Sequence, residues 1–170
     1  MVVVSPQCPK GDNWQYAEMV ERLSRLVAEV VARYDLDAQR VYLTGFSMGG
    51  DGVWALGLAH PEQFAALAPV ASDWGADPQA MCALQGVPVW VFQSEKDQLV
   101  SPRHATSVVG ALKQCGGEVQ LTLFPDAGHE GTSRIAYSMD EMYEWFLEQR
   151  SPHDGLQPSP ADWRWAAGNH

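Results

Sequence analysis

The sequence of 170 residues has no long apolar run and no basic leader segment. No stretch approaches the roughly 18 consecutive apolar residues that a membrane-spanning helix requires. The first ten residues, MVVVSPQCPK, contain three valines before a Ser-Pro pair and lack the basic start of a signal peptide. We therefore expect a cytoplasmic protein.

Basic residues are scarce as well. The chain has 11 Lys and Arg against 21 Asp and Glu, which gives a formal net charge of −10. A nucleic acid or an anionic membrane surface would require a basic face on the protein. We therefore expect neither as a partner, and the negative charge favours solubility without specifying a fold.

Cysteine is also scarce. Cys8, Cys82 and Cys115 lie far apart and form no CxxC pair. This spacing is not that of a zinc site, and we expect a protein without metal or cofactor. An odd, scattered set favours reduced thiols, although it leaves one disulfide open.

Apolar patterns of helical and strand type alternate along the chain. Strands are predicted at residues 2–6, 40–45, 64–72, 87–93 and 118–125, and helices at 16–34, 48–60, 102–115 and 133–150. This alternation predicts an α/β fold with a mostly parallel sheet of about five strands and helices on both faces. We assign residues 1–150 to this domain and the Pro-rich, polar residues 151–170 to a flexible C-terminal tail.

The segment Gly-Phe-Ser-Met-Gly at residues 45–49 follows a predicted strand and opens a predicted helix. In this context Gly-x-Ser-x-Gly is typical of a nucleophile elbow, a sharp turn that presents the serine above the sheet. Gly45 and Gly49 would let the strand and the helix approach closely. The amide of Met48, which directly follows Ser47, would point to the position of an oxyanion.

A serine hydroxyl needs a base and a group that orients the base. Asp97 follows the fourth predicted strand and His129 follows the fifth. Both therefore lie at carboxyl ends of parallel strands, on the rim that carries Ser47. The pattern predicts that His129 takes the serine proton and Asp97 orients His129. Glu95 and Asp126 are alternative acids, and Asp97 is preferred.

The segments that carry these residues resemble the α/β-hydrolase superfamily. They read DLDAQRVYLTGFSMGGDGVWALGLAHPEQFAALAPVAS, PVWVFQSEKDQLVSP and LFPDAGHEGT. They are most similar to the serine esterases grouped as predicted peptidases or phospholipase/carboxylesterase-like proteins, near polyhydroxybutyrate depolymerase and feruloyl esterase relatives. The resemblance implies carboxylic ester hydrolysis through an acyl-enzyme, with Ser47, Asp97 and His129 as the triad. The segment SPQCPKGDNW also matches, which implies that Trp14 lies near the substrate pocket.

Several positions depart from the pattern of this group. Asp51 replaces a Tyr after the double glycine and puts a carboxylate in the first turn of the predicted helix. Gln93-Ser94 replaces a His-Gly pair before the acid loop. Gly131 and Thr132 replace an aromatic residue after the histidine, which would open the pocket.

The largest departure concerns the strands that precede the elbow. Relatives carry three further strands and a His-Gly oxyanion loop before the region that matches this chain. The predicted strand at 2–6 could instead pair with the elbow strand, so that the amide of Gln7 or Cys8 supplies the second oxyanion donor. A second copy could also cover the open strand edge and form a homodimer.

Two functional interpretations follow from these patterns. The preferred one is a minimal carboxylesterase for small short-chain esters, because no long insertion offers a deep acyl tunnel. The alternative is a truncated fragment or binding module whose catalysis is impaired by an incomplete oxyanion hole.

Overall fold

The computed structural model describes residues 2–73 and 78–153. In order along these residues the regular elements are α1 (Ala17–Arg33), β1 (Tyr42–Phe46), α2 (Met48–Ala59), β2 (Ala66–Val70), β3 (Val89–Ser94), α3 (Pro102–Gln114), β4 (Val119–Phe124), α4 (Gly128–Ala136) and α5 (Asp140–Glu148). Three short 3-10 helices occupy Ala38–Arg40, Pro61–Gln63 and Pro78–Leu84. No helix in the described ranges is long and apolar enough to cross a membrane.

The strands form one parallel sheet in the order β1-β2-β3-β4. Phe46 is aligned with Val70, and Ser94 with Phe124, so the carboxyl ends of the strands share one edge of the sheet. The predicted α/β class with a mostly parallel sheet is confirmed. The strand count differs, since four strands are present in the described part of the chain instead of five.

Apolar side chains cover both faces of this sheet. One buried cluster joins α1, α2 and α3 to the sheet and includes Val53, Leu56, Leu67, Val89 and Leu112. The other joins α4 and α5 to the opposite face and includes Val70, Phe92, Ala136, Met142 and Phe146. Strand β2 is buried along its whole length, as expected for a central strand of a sheet covered on both sides. The carboxyl edge of the sheet is thereby held in place by both layers.

The predicted strand at residues 2–6 is wrong. Val2, Val3 and Val4 are 52%, 74% and 48% exposed, and this segment pairs with no strand in the described residues. A strand requires the backbone of a partner, and Pro6 cannot donate a ladder hydrogen bond. Three valines are also too short a run to hold a strand in the sheet without cross-strand partners.

The predicted final helix at 133–150 is two helices. The chain turns at 137–139, where the Tyr137 and Ser138 amides donate to the carbonyls of Ser133 and Ile135. The Ser138 hydroxyl also donates to the carbonyl of Ile135, and such local side-chain bonds compete with a continuing helix. Helix α4 also begins earlier than predicted, at Gly128, so His129 lies in its first turn.

Two of the three cysteines are paired. Cys82, in the third 3-10 helix, forms a disulfide with Cys115 at the end of α3, and Cys8 is free. The expectation of three reduced thiols is therefore wrong, and the single disulfide that the spacing left open is present. Spacing alone could not identify it, because the fold brings together residues 33 positions apart.

Of the tail predicted at 151–170, only its first residues are described, and residues 154–170 lie outside the described ranges. Ser151 is 3% exposed, and its amide donates to the carbonyl of Gln39. The Gln39 side chain in turn donates to the carbonyl of His153. The start of this segment is thus attached to the body of the domain.

Candidate active site

Ser47 occupies a strained turn between β1 and α2. Its φ is 54° and its ψ is −121°, a region that residues other than glycine rarely adopt. The Ser47 amide donates to the carbonyl of Val70 over 2.9 Å, which attaches the turn to the neighbouring strand. The sequence in this segment thus folds into the strand–turn–helix arrangement of an elbow.

The glycines beside Ser47 permit this close approach of strand and helix. A Cβ on Gly45 would lie 2.3 Å from the carbonyl oxygen of Gly49, and a Cβ on Gly50 would lie 2.7 Å from the Cβ of Ser72. A Cβ on Gly49 would meet nothing within 4 Å. The steric requirement therefore falls on Gly45 and Gly50, and not on Gly49 as the motif predicts.

Ser47, His129 and Asp97 are joined by hydrogen bonds. The His129 Nε2 lies 2.9 Å from the Ser47 Oγ, and the His129 Nδ1 lies 2.8 Å from the Asp97 Oδ2. An ionised carboxylate only accepts hydrogen bonds, so Nδ1 carries the proton and Nε2 of the neutral ring accepts from the serine hydroxyl. The arrangement can remove a proton from Ser47.

The Asp97 carboxylate is buried and fully supported. Its side chain is 0% exposed and that of His129 is 9% exposed. The Asp97 Oδ1 accepts from the amides of Leu99 and Val100 at 2.9 Å each. These amide bonds and the contact with the His129 ring fix the position of the carboxylate.

The structure places neither alternative acid next to His129. Glu95 is exposed in the loop after β3. Asp126 is also exposed, and its carboxylate pairs with the ammonium group of Lys96 at the surface. The acid in contact with His129 is therefore Asp97.

Gln93 and Ser94, which depart from the pattern of similar sequences, connect the acid loop to the histidine loop. The buried Ser94 hydroxyl accepts from the amides of Lys96 and Gly128, and Gly128 directly precedes His129. The Gln93 side chain donates to the carbonyl of Val100 over 2.9 Å. Sequence reasoning missed both residues, although two polar side chains at the end of a buried strand were an available signal.

The amide of Met48 opens α2, where helix N–H groups lack an intrahelical partner. Gln7 is exposed and Cys8 is half-buried, and the amide of neither donates a hydrogen bond within the described residues. The structure does not join either of them to Ser47 by a hydrogen bond.

Trp14 is 9% exposed and packs against α2, since a Cβ on Gly52 would lie 2.7 Å from the Trp14 Cβ. Its place in a substrate pocket stays a prediction.

A shallow depression of about 410 Å³ lies beside His129. It is lined by Lys96, Gln98, Leu99, Ala127, Gly128, His129, Glu130, Gly131 and Arg134. Gly131 contributes no side chain to this surface, and Thr132 is buried with its hydroxyl donating to the carbonyl of Gly128. The space next to the imidazole is thus open and mixed in polarity.

Among residues 2–73 and 78–153, no cluster of three or more His, Cys, Asp or Glu is placed to hold a metal ion.

Asp51 lies on the Ser47 side of the site, in the first turn of α2. Its Oδ1 accepts from the Asp73 amide over 2.8 Å, and the Gln15 side chain also hydrogen-bonds to the carboxyl. Burial raises the pKa of this carboxyl and the charge of Asp73 adds to the rise, while the hydrogen bonds from the Asp73 amide and the Gln15 side chain oppose it.

Comparisons with known proteins find relatives that carry the names of hydrolases. The model of the prolyl oligopeptidase family matches residues 75–152. A Salmonella typhi protein named as a carboxymethylenebutenolidase is 25% identical, and the match covers 82% of this chain and 63% of that protein. The chain therefore spans less than two thirds of the length of the curated relatives it matches.

Two solved structures also resemble this chain over most of its length. The crystal structure of a thermostable esterase superimposes with a TM-score of 0.79 at 27% identity, covering 85% of this chain and 43% of the esterase. A Klebsiella pneumoniae protein named as a dienelactone hydrolase superimposes with a TM-score of 0.66 at 20% identity, covering 78% of this chain and 61% of its own. The second of these, at its lower identity, bears on the fold alone.

Proposed function

We propose that the chain, which resembles esterases and hydrolases of the α/β-hydrolase superfamily, is a serine carboxylesterase for small, short-chain esters. The observation that carries this proposal is the line of hydrogen bonds from Asp97 through His129 to Ser47. Three residues from three separate loops meet there with the geometry that activates a serine hydroxyl.

In the first half of the proposed reaction, the Ser47 Oγ attacks the ester carbonyl carbon while the His129 Nε2 takes the serine proton. The imidazolium that forms is stabilised by Asp97. The tetrahedral intermediate then collapses, the C–O bond to the alcohol breaks, and the imidazolium returns the proton to the leaving alcohol. The product of this half is an acyl group on Ser47.

In the second half, water replaces the alcohol. His129 removes a proton from water as the water oxygen attacks the acyl carbon, and the proton then passes to the Ser47 oxygen as the acyl bond breaks. The products are a carboxylic acid and the free serine. The same Nε2, which lies 2.9 Å from the Ser47 Oγ, would return the proton to Ser47.

We assign the first oxyanion donor to the amide of Met48, which follows the nucleophile at the start of α2. The second donor is proposed to be the amide of Gln7 or Cys8, both of which lack a hydrogen-bond acceptor within the described residues. Substrate binding would have to bring one of these amides to the carbonyl oxygen, close to Trp14 and α2.

The preference for short acyl chains is supported by the depression beside His129. That surface is open and carries Lys96, Glu130 and Arg134, which do not suit a long apolar chain. The names of relatives include a carboxymethylenebutenolidase and a dienelactone hydrolase, so lactones are a second kind of ester to test.

The proposal is tested with 4-nitrophenyl esters from acetate to decanoate, hydrolysed by the wild type and by Ser47→Ala. We expect kcat/KM to fall as the acyl chain lengthens and turnover to disappear in Ser47→Ala. Labelling of the wild type, but not of Ser47→Ala, by a fluorophosphonate probe would support the same site. A folded wild type without Ser47-dependent turnover or labelling would favour the binding-module alternative.

The assembly state and the compartment are further proposals. Strand β1 pairs only with β2 in the described residues, and its other edge would accept a second copy of the chain in a homodimer. Sedimentation velocity tests this, and a monomer at all concentrations would contradict it. The cytoplasmic location stays a prediction, and the Cys82–Cys115 disulfide weighs against it because disulfides persist mainly in oxidising compartments.

A further inference from the structure

Asp51 places a negative charge one helical turn from the nucleophile. Its amide donates to the carbonyl of Ser47 over 3.0 Å, so the two residues are rigidly connected through the start of α2. The side chain is half-buried, and its Oδ1 accepts from the Asp73 amide over 2.8 Å. A substrate bound at Ser47 therefore lies about one helical turn from this residue.

The groups around Asp51 hydrogen-bond to its carboxyl but include no cation that pairs with it. The Asp73 amide and the Gln15 side chain hydrogen-bond to the carboxyl, and the helix N-terminus favours a negative group there. No Lys, Arg or His in the described ranges forms an ion pair with it. The Asp73 carboxylate, which lies against His104, adds a second negative group nearby.

The opposite side of the site carries cations, but acidic groups accompany them. Lys96 pairs with the Asp126 carboxylate. Glu130 and Arg134 on α4 both line the depression beside His129, and neither forms an ion pair among the described residues. The Asp51 carboxylate also forms no ion pair there, and Asp51 lies one helical turn from Ser47.

We propose that Asp51 is a specificity-determining residue that makes the site discriminate against esters whose acyl group carries a negative charge, in favour of neutral or cationic esters. This inference rests on the proposed esterase function. Its physical reason is Coulomb repulsion in a partly buried site, where charges are screened less than in water. The net charge of −10 acts in the same direction on approach of the substrate.

The test compares two esters that differ in one charge. Ethyl butyrate and monoethyl succinate share the leaving group and the length of the acyl chain, but the succinate ends in a carboxylate. We expect the wild type to prefer the butyrate. Asp51→Asn keeps a side-chain oxygen for the Asp73 amide and removes the charge, and it should raise the relative kcat/KM for the succinate about fivefold at low salt.

Two controls separate this effect from a structural one. Glu144→Gln removes the same charge from an exposed position on α5 and should leave the ratio unchanged. The gain in Asp51→Asn should shrink at about 0.5 M salt, where the Debye length is only a few ångströms. Asp51→Ser is measured beside Asp51→Asn, so that a folding defect in one variant does not prevent the comparison.

The outcomes distinguish this inference from the function on which it rests. Loss of all Ser47-dependent butyrate hydrolysis in the wild type would overturn the esterase proposal and the inference with it. Butyrate hydrolysis with an unchanged succinate ratio in both Asp51 variants would overturn the inference alone. A wild-type preference for the succinate that disappears in Arg134→Gln would also overturn it, since Arg134 would then determine the specificity.

Discussion

The two sides of the candidate site differ in how completely they are built. On the histidine side, the loops after β3 and β4 form a buried network in which both oxygens of Asp97, both nitrogens of His129 and the Ser94 hydroxyl have partners. On the other side, residues 2–8 are largely exposed, and the amides of Gln7 and Cys8 donate no hydrogen bond within the described residues.

This difference follows from what supports each segment. The acid and histidine loops extend from β3 and β4, which are paired with each other along their length. The segment at 2–8 extends from no strand, and the next buried residue along the chain, Trp14, packs against α2. The hydrogen bonds at Ser47 are therefore formed without a substrate, whereas the proposed second oxyanion donor would be positioned only on binding.

The largest expected loss of activity comes from a substitution on the histidine side of the site. Asp97→Asn should lower kcat by about 10⁴-fold, because an amide in place of the carboxylate favours the wrong tautomer of His129 and cannot stabilise the imidazolium. Steady-state hydrolysis of 4-nitrophenyl acetate measures this. Glu95→Gln and Asp126→Asn are matched controls, since each removes one carboxylate from the same loops. A loss in either control comparable with that in Asp97→Asn would contradict the assignment.

A smaller loss of activity is expected from substitutions that remove the amide of Gln7 or Cys8. Gln7→Pro and Cys8→Pro each remove one backbone N–H, and the variant that loses the proposed donor should fall about 10²–10³-fold in kcat/KM. Cys8→Ala is the control for the thiol, because it keeps the amide and should stay close to the wild type. Full activity in both proline variants would rule out this segment as the source of the second donor.

The elbow between the two sides can be tested through its glycines. Gly45→Ala should lower the free energy of unfolding by about 3 kcal/mol or more, because the new Cβ would overlap the backbone of Gly49. Gly49→Ala has free space for its Cβ in the first turn of α2, and it should be neutral or stabilising by up to about 1 kcal/mol. Urea unfolding of both variants measures the difference, and equal losses would show that the contact at Gly45 is not the determinant.

The smallest expected effect is that of the Asp51 carboxyl on the pH dependence of the free energy of unfolding. Burial raises the pKa of its carboxyl above the ordinary value of 3.8. A carboxyl whose pKa is higher in the folded than in the unfolded state favours folding below its ordinary pKa, and this contribution is lost as the pH rises through the raised pKa. Asp51→Asn should therefore be more stable than the wild type at pH 7, by about 1 kcal/mol or less. The difference should vanish near pH 3, and thermal unfolding at both pH values measures it.

Much of the fold follows from patterns that act over short distances. The spacing of apolar residues predicted α1 and α3 to within about two residues, and the alternation of elements predicted the parallel sheet. The order of Ser47, Asp97 and His129 along the chain nominated three residues that the structure brings into contact. The contact between these three residues follows from the fold, because a strand followed by a tight loop constrains where the loop residues can lie.

The predictions that failed depend on contacts between distant residues. Val2, Val3 and Val4 have the composition of a strand, but no backbone in the described residues is placed to pair with them. The pairing of Cys82 with Cys115 depends on how α3 packs beside the third 3-10 helix. The predicted role of Gly49 belongs to Gly50, because only the packed structure shows which Cβ would overlap a neighbour.

The sequence by itself determined the α/β alternation, the glycine-rich turn at Ser47 and the positions of polar residues after each strand, because these depend on local propensity and periodicity. Only the tertiary structure decided that Asp97, and not Glu95 or Asp126, meets His129. It also decided that Asp51 is half-buried beside the nucleophile without a cation. Burial and pairing of charges depend on which segments pack together, and no local pattern encodes that.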